Sequence, residues 1–352
     1  MVTLYVVSTE AFSGKTGLCL AIGLELKQRG YKVGYMKPVG TLPLRVDELL
    51  TDEDSHYAWR TLDTGDPLEC IAPVVLTQGI VHERFKGGMA DSLPKIKRAF
   101  NCVARGKDIV LLEGGEDPSE GAMLGISAYK LAEELDAKVL LLAKFRSELI
   151  VDDILLAREG FGDRLTGVVF NSVPRSKRQL FELIEPYLAG QGIKTLGILP
   201  RDHLLMSVTV GELAEELNGT VLTAKDKTYE MVETFMVGAM GQEKALRFFQ
   251  RAANKAVITG GDRADVQLAA LETPTKCLIL TGNLEPSPIV LARAEEIGVP
   301  IILVEHDTLT AVSIAESLVG SVRVHQAAKV ARFSELVREH FSIDAMLPEL
   351  GL

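Results

Sequence analysis

Gly14-Lys15-Thr16 is the clearest piece of chemistry in this sequence. It follows the apolar run Leu4–Val7 and opens a stretch with helical spacing. Glycine lets the backbone approach a phosphate, and first-turn amides with the helix dipole favour an anion. In such a loop Lys15 reaches the β- and γ-phosphates and the Thr16 hydroxyl ligates Mg2+. The pattern departs from the ordinary phosphate loop in one place. Thr9 stands where a glycine is usual, five residues before Gly14. The competing reading is a plain structural turn. The expected contacts to ATP are Glu10, Ser13, Gly14, Lys15, Thr16 and Gly17.

Three further residues end apolar runs. In an open α/β sheet, ligands lie beyond the carboxyl ends of the strands, so all three should face the crevice that holds Lys15. Lys37 reads as a second phosphate cation and, with Lys15, as a catalytic candidate; alone it would read as a solvated strand end. Glu113 closes Ile109–Leu112 and sits where a Walker B-like acid would stand near Mg2+, or else it is a solvated turn acid. Asn171 offers a donor and an acceptor to a purine edge, or it forms a turn before Ser172 and Pro174.

The elements that must position these residues are legible as alternation. Short runs rich in Val, Leu and Ile occur at Leu4–Val7, Val33–Met36, Ile109–Leu112, Val139–Leu142, Val168–Phe170 and Leu196–Leu199. They lack polar alternation, as strands buried on both faces do. Helical stretches lie between them. Lys15–Arg29 places Leu18, Ile22 and Leu26 on one face and stops at Gly30, and Asp91 is an N-cap candidate ahead of Pro94. The pattern predicts a doubly wound, mostly parallel α/β domain. Residues 42–70 interrupt it with an acidic insertion, expected to be partly helical, without a clear strand and close to the crevice. From about 205 the character changes. A helical region is expected over Thr228–Ala253, interrupted near Gly238–Gly241. Strands follow at Ala256–Ile258, Cys277–Leu280 and Ile301–Val304, with helices near Ala264–Leu271 and Pro288–Ile297. The expected domains are 1–204 and a smaller α/β domain over 205–352.

Composition narrows the function. The chain has 352 residues, 47% hydrophobic and 24% charged, with a net charge of −10. That is a globular composition, and its sign disfavours nucleic acid or an anionic membrane as partner. The four cysteines, Cys19, Cys70, Cys102 and Cys277, are far apart, and the six histidines do not cluster. Neither a disulfide framework nor a zinc site is expected. No apolar run approaches the ~20 residues of a membrane helix. A cytoplasmic protein is expected.

Taken together, the first 205 or so residues resemble the dethiobiotin synthetase-like branch of P-loop proteins. Ser8-Thr9-Glu10 and Gly14-Lys15-Thr16 match that family's longer loop, with Ser8 in place of its first glycine. Lys37-Pro38-Val39 resembles its Lys-Pro-Val, and Thr41 falls where a serine follows. The resemblance implies that Asp54 binds magnesium with Thr16 and Glu113, that Thr41 belongs to the nucleotide site, and that Asn171 contacts the base. The family's substrate segments are replaced here by Glu116-Asp117-Pro118-Ser119-Glu120 and by Lys144-Phe145-Arg146-Ser147-Glu148.

Residues 205–340 resemble a DRTGG domain, through Ile258-Thr259-Gly260-Gly261-Asp262-Arg263, Leu280-Thr281-Gly282-Asn283 and His306-Asp307-Thr308. Asp262, Arg263, Thr281, Gly282 and Asp307 are candidates for a second small-molecule ligand; a purely structural set of turns is the other reading. Together the two parts resemble the N-terminal regulatory half of long-form phosphate acetyltransferases, without the acetyltransferase domain. The resemblance implies a stand-alone regulatory or sensor protein, with a homo-oligomer expected and acetyltransferase activity not expected. The alternative is an ATP-dependent ligase activating a carboxylate or carbamate by phosphorylation. The space between Thr41, Asp117 and Arg146 should separate the two.

Overall fold

The computed structural model describes residues 1–88, 91–320 and 324–352. The chain divides into two units, Met1–Arg201 together with Arg323–Leu352, and Asp202–Val322.

The first unit is built on a six-stranded parallel sheet. Its strands are β1 (Val2–Ser8), β2 (Val33–Met36), β3 (Ile109–Glu113), β4 (Lys138–Lys144), β5 (Leu165–Val173) and β6 (Thr195–Pro200), in the order β6-β5-β4-β1-β3-β2. β1 lies between β3 and β4, so the chain crosses from one side of β1 to the other. That switch point opens a crevice at the carboxyl ends of the strands. Each apolar run expected to be a strand is one, and the interior strands are buried on both faces.

Helix α1 (Lys15–Gln28) follows the phosphate loop. Its burial is wider than the single stripe of Leu18, Ile22 and Leu26, because Cys19, Leu20 and Ala21 are buried too. The cause is a helix near the end of the chain, Ala327–His340, which packs on α1. A helix covered from two sides carries little amphipathic signal. The expected second domain ran to 352, whereas the segment after 323 belongs to the first unit. It buries Val330, Phe333, Leu336 and Val337, and Phe341 bridges to Gly197 of β6.

The acidic insertion also differs from expectation. Pro43–Val46 and Leu49–Asp52 form an antiparallel hairpin, with Asp47 at φ 52° in the turn. Asp readily takes this left-handed conformation. The hairpin leads into α2 (Glu53–Leu62). Where Asp91 was the expected N-cap, Ser92 is the cap of Leu93–Val103; the Asp91 side chain accepts the Leu93 N–H at 3.0 Å.

The second unit holds a five-stranded sheet. Its strands are β7 (Thr220–Val221), β8 (Thr234–Val237), β9 (Lys255–Gly260), β10 (Thr275–Thr281) and β11 (Ile301–Leu303), ordered β7-β11-β10-β9-β8, with only β7 antiparallel. Alternate residues face two apolar layers, Ala256, Ile258, Cys277 and Ile279 on one side and Val257, Leu278 and Leu280 on the other. Part of the region read as helical, Thr228–Ala253, is strand β8; the helix within it is α3 (Gln242–Phe249). Phe235 and Val237 favour a pleated surface, and pairing with β9 decides the outcome. The next two helices, α4 (Ala264–Leu271) and α5 (Pro288–Ile297), are where expected. They precede α6 (Thr308–Leu318) and, in the first unit, α7 (Ala327–His340).

Candidate functional site

β1 delivers the chain into the phosphate loop, and Gly14 turns it into α1 at φ 96°. Two contacts keep Gly14 small. A Cβ there would lie 2.9 Å from Asn171 Nδ2 and 3.1 Å from Phe333. Phe12, also in the loop, adopts φ 49° and is 48% exposed. A bulky residue in that region is strained, so the loop is held in place by its surroundings.

Ser8, fully buried at the end of β1, organises the loop. Its hydroxyl donates to the Glu10 carbonyl (2.8 Å) and receives Lys15 Nζ (2.7 Å). Lys15 also reaches the Glu10 carbonyl and Ser13 Oγ at 3.5 Å. All of these partners are uncharged. Burial pulls the Lys15 ammonium below its ordinary pKa, against the attraction of Glu113. Asn171 is engaged rather than open: Nδ2 donates to the Ser13 carbonyl (2.7 Å) and Oδ1 accepts the Ser172 N–H (2.7 Å). At Glu10, the carboxylate meets Arg146 at 2.7 Å and Lys144 at 3.9 Å.

Beside the loop, Thr16 Oγ1 donates to Glu113 Oε1 (2.6 Å) and Tyr35 Oη to Glu113 Oε2 (2.8 Å). Burial raises the Glu113 carboxyl, while Lys37 pulls it down and Asp54 pushes it up. Lys37, 3% exposed, donates to Asp52 (2.9 Å) and Asp54 (3.1 Å). Burial opposes its charge, but Glu113, Asp54 and Asp52 together hold its pKa above the ordinary value. Asp52 also accepts the N–H groups of Thr41 (3.0 Å) and Leu42 (2.9 Å) and caps α2 through Ser55 (3.0 Å). Thr41 is thereby tied to the site through its backbone.

Several participants carry no mark in the reading of the sequence. Asp52-Glu53-Asp54-Ser55 has the form of a helix start, and a capping argument would have found Asp52. Glu120 folds over Gly115; burial raises its carboxyl, Oε2 accepts the Glu116 N–H (2.8 Å), and Oε1 has no hydrogen-bond partner among the described residues. His325 and Phe333 come from the far end of the chain. His325 Nε2 lies 2.8 Å from Asp54 Oδ1, and its ring stacks on Tyr57 at 4.9 Å. Phe333 covers Gly14 and Gly17; a Cβ on Gly17 would meet its ring at 2.9 Å.

In the second unit the expected ligand residues are engaged locally. Asp307 caps α6, accepting from Leu309 (2.9 Å), Thr310 N (3.0 Å) and Thr310 Oγ1 (2.9 Å). Arg263 pairs with Asp265 (3.2 Å) and donates to the Met240 carbonyl (3.0 Å). Thr281 Oγ1 and Thr308 Oγ1 are 2.8 Å apart, and the Gly282 N–H donates to the His306 carbonyl at 2.9 Å. Asp262 turns back over Gly260.

Comparison with known families accounts for both units. A family profile described as an AAA domain matches residues 2–209, more than half of the chain. The chain belongs to the AAA domain family. A DRTGG domain profile matches 212–318 of this AAA-domain protein. Among curated relatives, the phosphate acetyltransferase of Nitrosomonas europaea is 22% identical over 100% of this chain and 52% of its own length. The ATP-dependent dethiobiotin synthetase of Caldicellulosiruptor saccharolyticus is 22% identical over 49% of this chain and 74% of its own. The chain spans about half the length of the phosphate acetyltransferases it matches. A solved structure of the CBS and DRTGG domains of the regulatory region of Clostridium perfringens pyrophosphatase is 17% identical, with a TM-score of 0.30; it covers 46% of this chain and 78% of that one. No helix among the described residues is long and apolar enough to cross a membrane.

Proposed function

We propose that the first unit binds ATP with Mg2+ and that the protein is a nucleotide sensor, related to the regulatory half of long-form phosphate acetyltransferases. The observation that carries this reading is Lys15. It stands in the first turn of α1 beside Gly14, and among the described residues it has only neutral oxygens as partners. A half-buried cation with no ion-pair partner among the described residues, set in the first turn of a helix, is well placed to receive a phosphate.

The donors beside it fit magnesium. The Thr16 hydroxyl, Glu113 and Asp54 offer hard oxygens, and the orphaned Oε1 of Glu120 adds another. Among the described residues no three His, Cys, Asp or Glu side chains form a metal cage. Mg2+ characteristically uses one or two carboxylates together with substrate phosphates and water. When bound, the ion would neutralise phosphate charge; Lys15 would reach the phosphates, Lys37 would hold Asp54 beside them, and Asn171 would hold the loop by its Ser13 contact.

A sensor is favoured over a ligase by the groups where an organic substrate would lie. Arg146 is paired with Glu10, and Asp117 accepts from the Ser119 N–H (2.7 Å) and hydroxyl. Lys37 is already held by two carboxylates. Calorimetry with ATP tests the proposal. Lys15→Ala should lower affinity about 30- to 1,000-fold, the equivalent of roughly 2–4 kcal/mol. Glu113→Gln should reduce the magnesium contribution more than Asp54→Asn, because Glu113 ends β3 directly beside Thr16, whereas Asp54 already shares its charge with Lys37. Unchanged affinity in Lys15→Ala removes the nucleotide reading, and turnover of ATP that requires an added carboxylate or amine would favour the ligase.

A further inference from the structure

His325 lies outside both matched regions, 2–209 and 212–318. It nevertheless reaches the carboxylate expected to meet the metal. Asp54 is the second residue of α2, and its two oxygens have different partners. Oδ2 accepts from Lys37 at 3.1 Å, and Oδ1 faces His325 Nε2 at 2.8 Å. An ionised carboxylate only accepts, so Nε2 carries the hydrogen. The imidazole is held in turn. It stacks on Tyr57 with an interplanar angle of 27°, and Nδ1 lies 3.6 Å from Glu53 Oε1. Tyr57 is three residues beyond Asp54, on the same face of α2. The ring therefore lies along the first turn of the helix, with its orientation set by one residue and its hydrogen bond made to another. Asp54 is fixed between a cation and an imidazole, and each of its oxygens keeps a second lone pair for a further partner. Eight residues on, Phe333 of the same segment covers Gly14 and Gly17. One stretch of chain thus touches both the phosphate loop and the acid across from it.

We propose that His325 is a positioning residue of the magnesium–nucleotide site, orienting Asp54 from the far end of the chain. The proposal rests on the nucleotide reading above. It makes the C-terminal segment part of the working site, beyond the region shared with dethiobiotin synthetases.

The test is calorimetric titration of the full-length chain with ADP, in magnesium chloride and in EDTA. Loss of an outer-sphere partner typically costs 10- to 100-fold in metal affinity. His325→Ala should therefore cut the magnesium enhancement of ADP affinity about tenfold and leave the EDTA affinity unchanged. His325→Gln, whose amide N–H has similar reach, should restore most of it, and His325→Asn, which is too short, should not. In an Asp54→Asn background His325→Ala should have no further effect, since the histidine acts through that carboxylate. If His325→Ala fails to fold, the contrast between His325→Gln and His325→Asn carries the test. An undiminished magnesium enhancement in His325→Asn overturns the proposal, and so does an equal loss in magnesium and in EDTA, the mark of a merely structural role. A wild-type chain that binds no ADP in either condition overturns the nucleotide reading as well, whereas magnesium-dependent wild-type binding with unaffected variants overturns this inference alone.

Discussion

At the scale of single residues, the site is a set of buried charges held by specific partners. Tyr35 is one whose role is measurable without a ligand. Its hydroxyl supplies one of the two side-chain hydrogen bonds to Glu113 among the described residues, and Glu113 is 1% exposed. Hydrogen bonds to charged groups contribute about 1.5–3 kcal/mol, so Tyr35→Phe should lose about that much unfolding free energy in urea titrations. A loss below about 0.5 kcal/mol would mean that water or another donor replaces the phenol. Lys255 shows the opposite strategy. Its ammonium donates to the Ala252 and Pro274 carbonyls at 3.1 Å, and burial pushes its pKa down to about 8. The native state then releases this proton at lower pH than the unfolded chain, whose lysines titrate near ~10.4. Between those values the unfolded state binds more protons, so the Lys255 contribution makes stability rise with pH. An NMR titration of the Lys255 side chain should give a midpoint near 8, and a midpoint above 10 would refute the assignment.

At the scale of elements, the contact between α1 and α7 explains both what the sequence revealed and what it hid. Runs such as Ile109–Leu112 and Val139–Leu142 marked strands because burial on both faces leaves no polar alternation. Gly14-Lys15-Thr16, Lys37 and Glu113 were legible because they end such runs. Asp52 needed its capping geometry, and the hairpin at Pro43–Asp52 was masked by the exposed acidic turn Asp47-Glu48 between its two strands. His325 and Phe333 had no local signal, since their partners lie hundreds of residues earlier in the chain. Phe333 is 2% exposed against Gly17. Phe333→Ala should destabilise by about 3–5 kcal/mol, and Gly17→Ala by about 1–3 kcal/mol through overpacking. Together they should cost less than their sum, because the new methyl fills part of the space the ring leaves. Strict additivity in denaturant titrations would show that the two residues do not meet.

At the scale of the whole molecule, the first unit is discontinuous and the second is inserted within it. A fragment ending at Arg201 leaves α1 without α7 and should unfold at a lower temperature, with poor cooperativity. Joining residue 201 to residue 324 through a flexible Gly/Ser linker should restore a single cooperative transition in calorimetry, while 202–320 alone should melt independently. A fragment 1–201 as stable as the joined unit would contradict the role given to the C-terminal segment. The insertion also inverts the usual order of birth on the ribosome, where N-terminal domains generally finish first. At about 5–20 residues per second, translating Asp202–Val322 occupies roughly 6–24 s, and only then does the helix that covers α1 emerge. Throughout that interval the nascent outer unit exposes the apolar face that Phe333 later covers. The outer unit therefore receives the helix that covers α1 only after the inserted unit has been made, and apolar surface exposed in this way is prone to aggregate during synthesis.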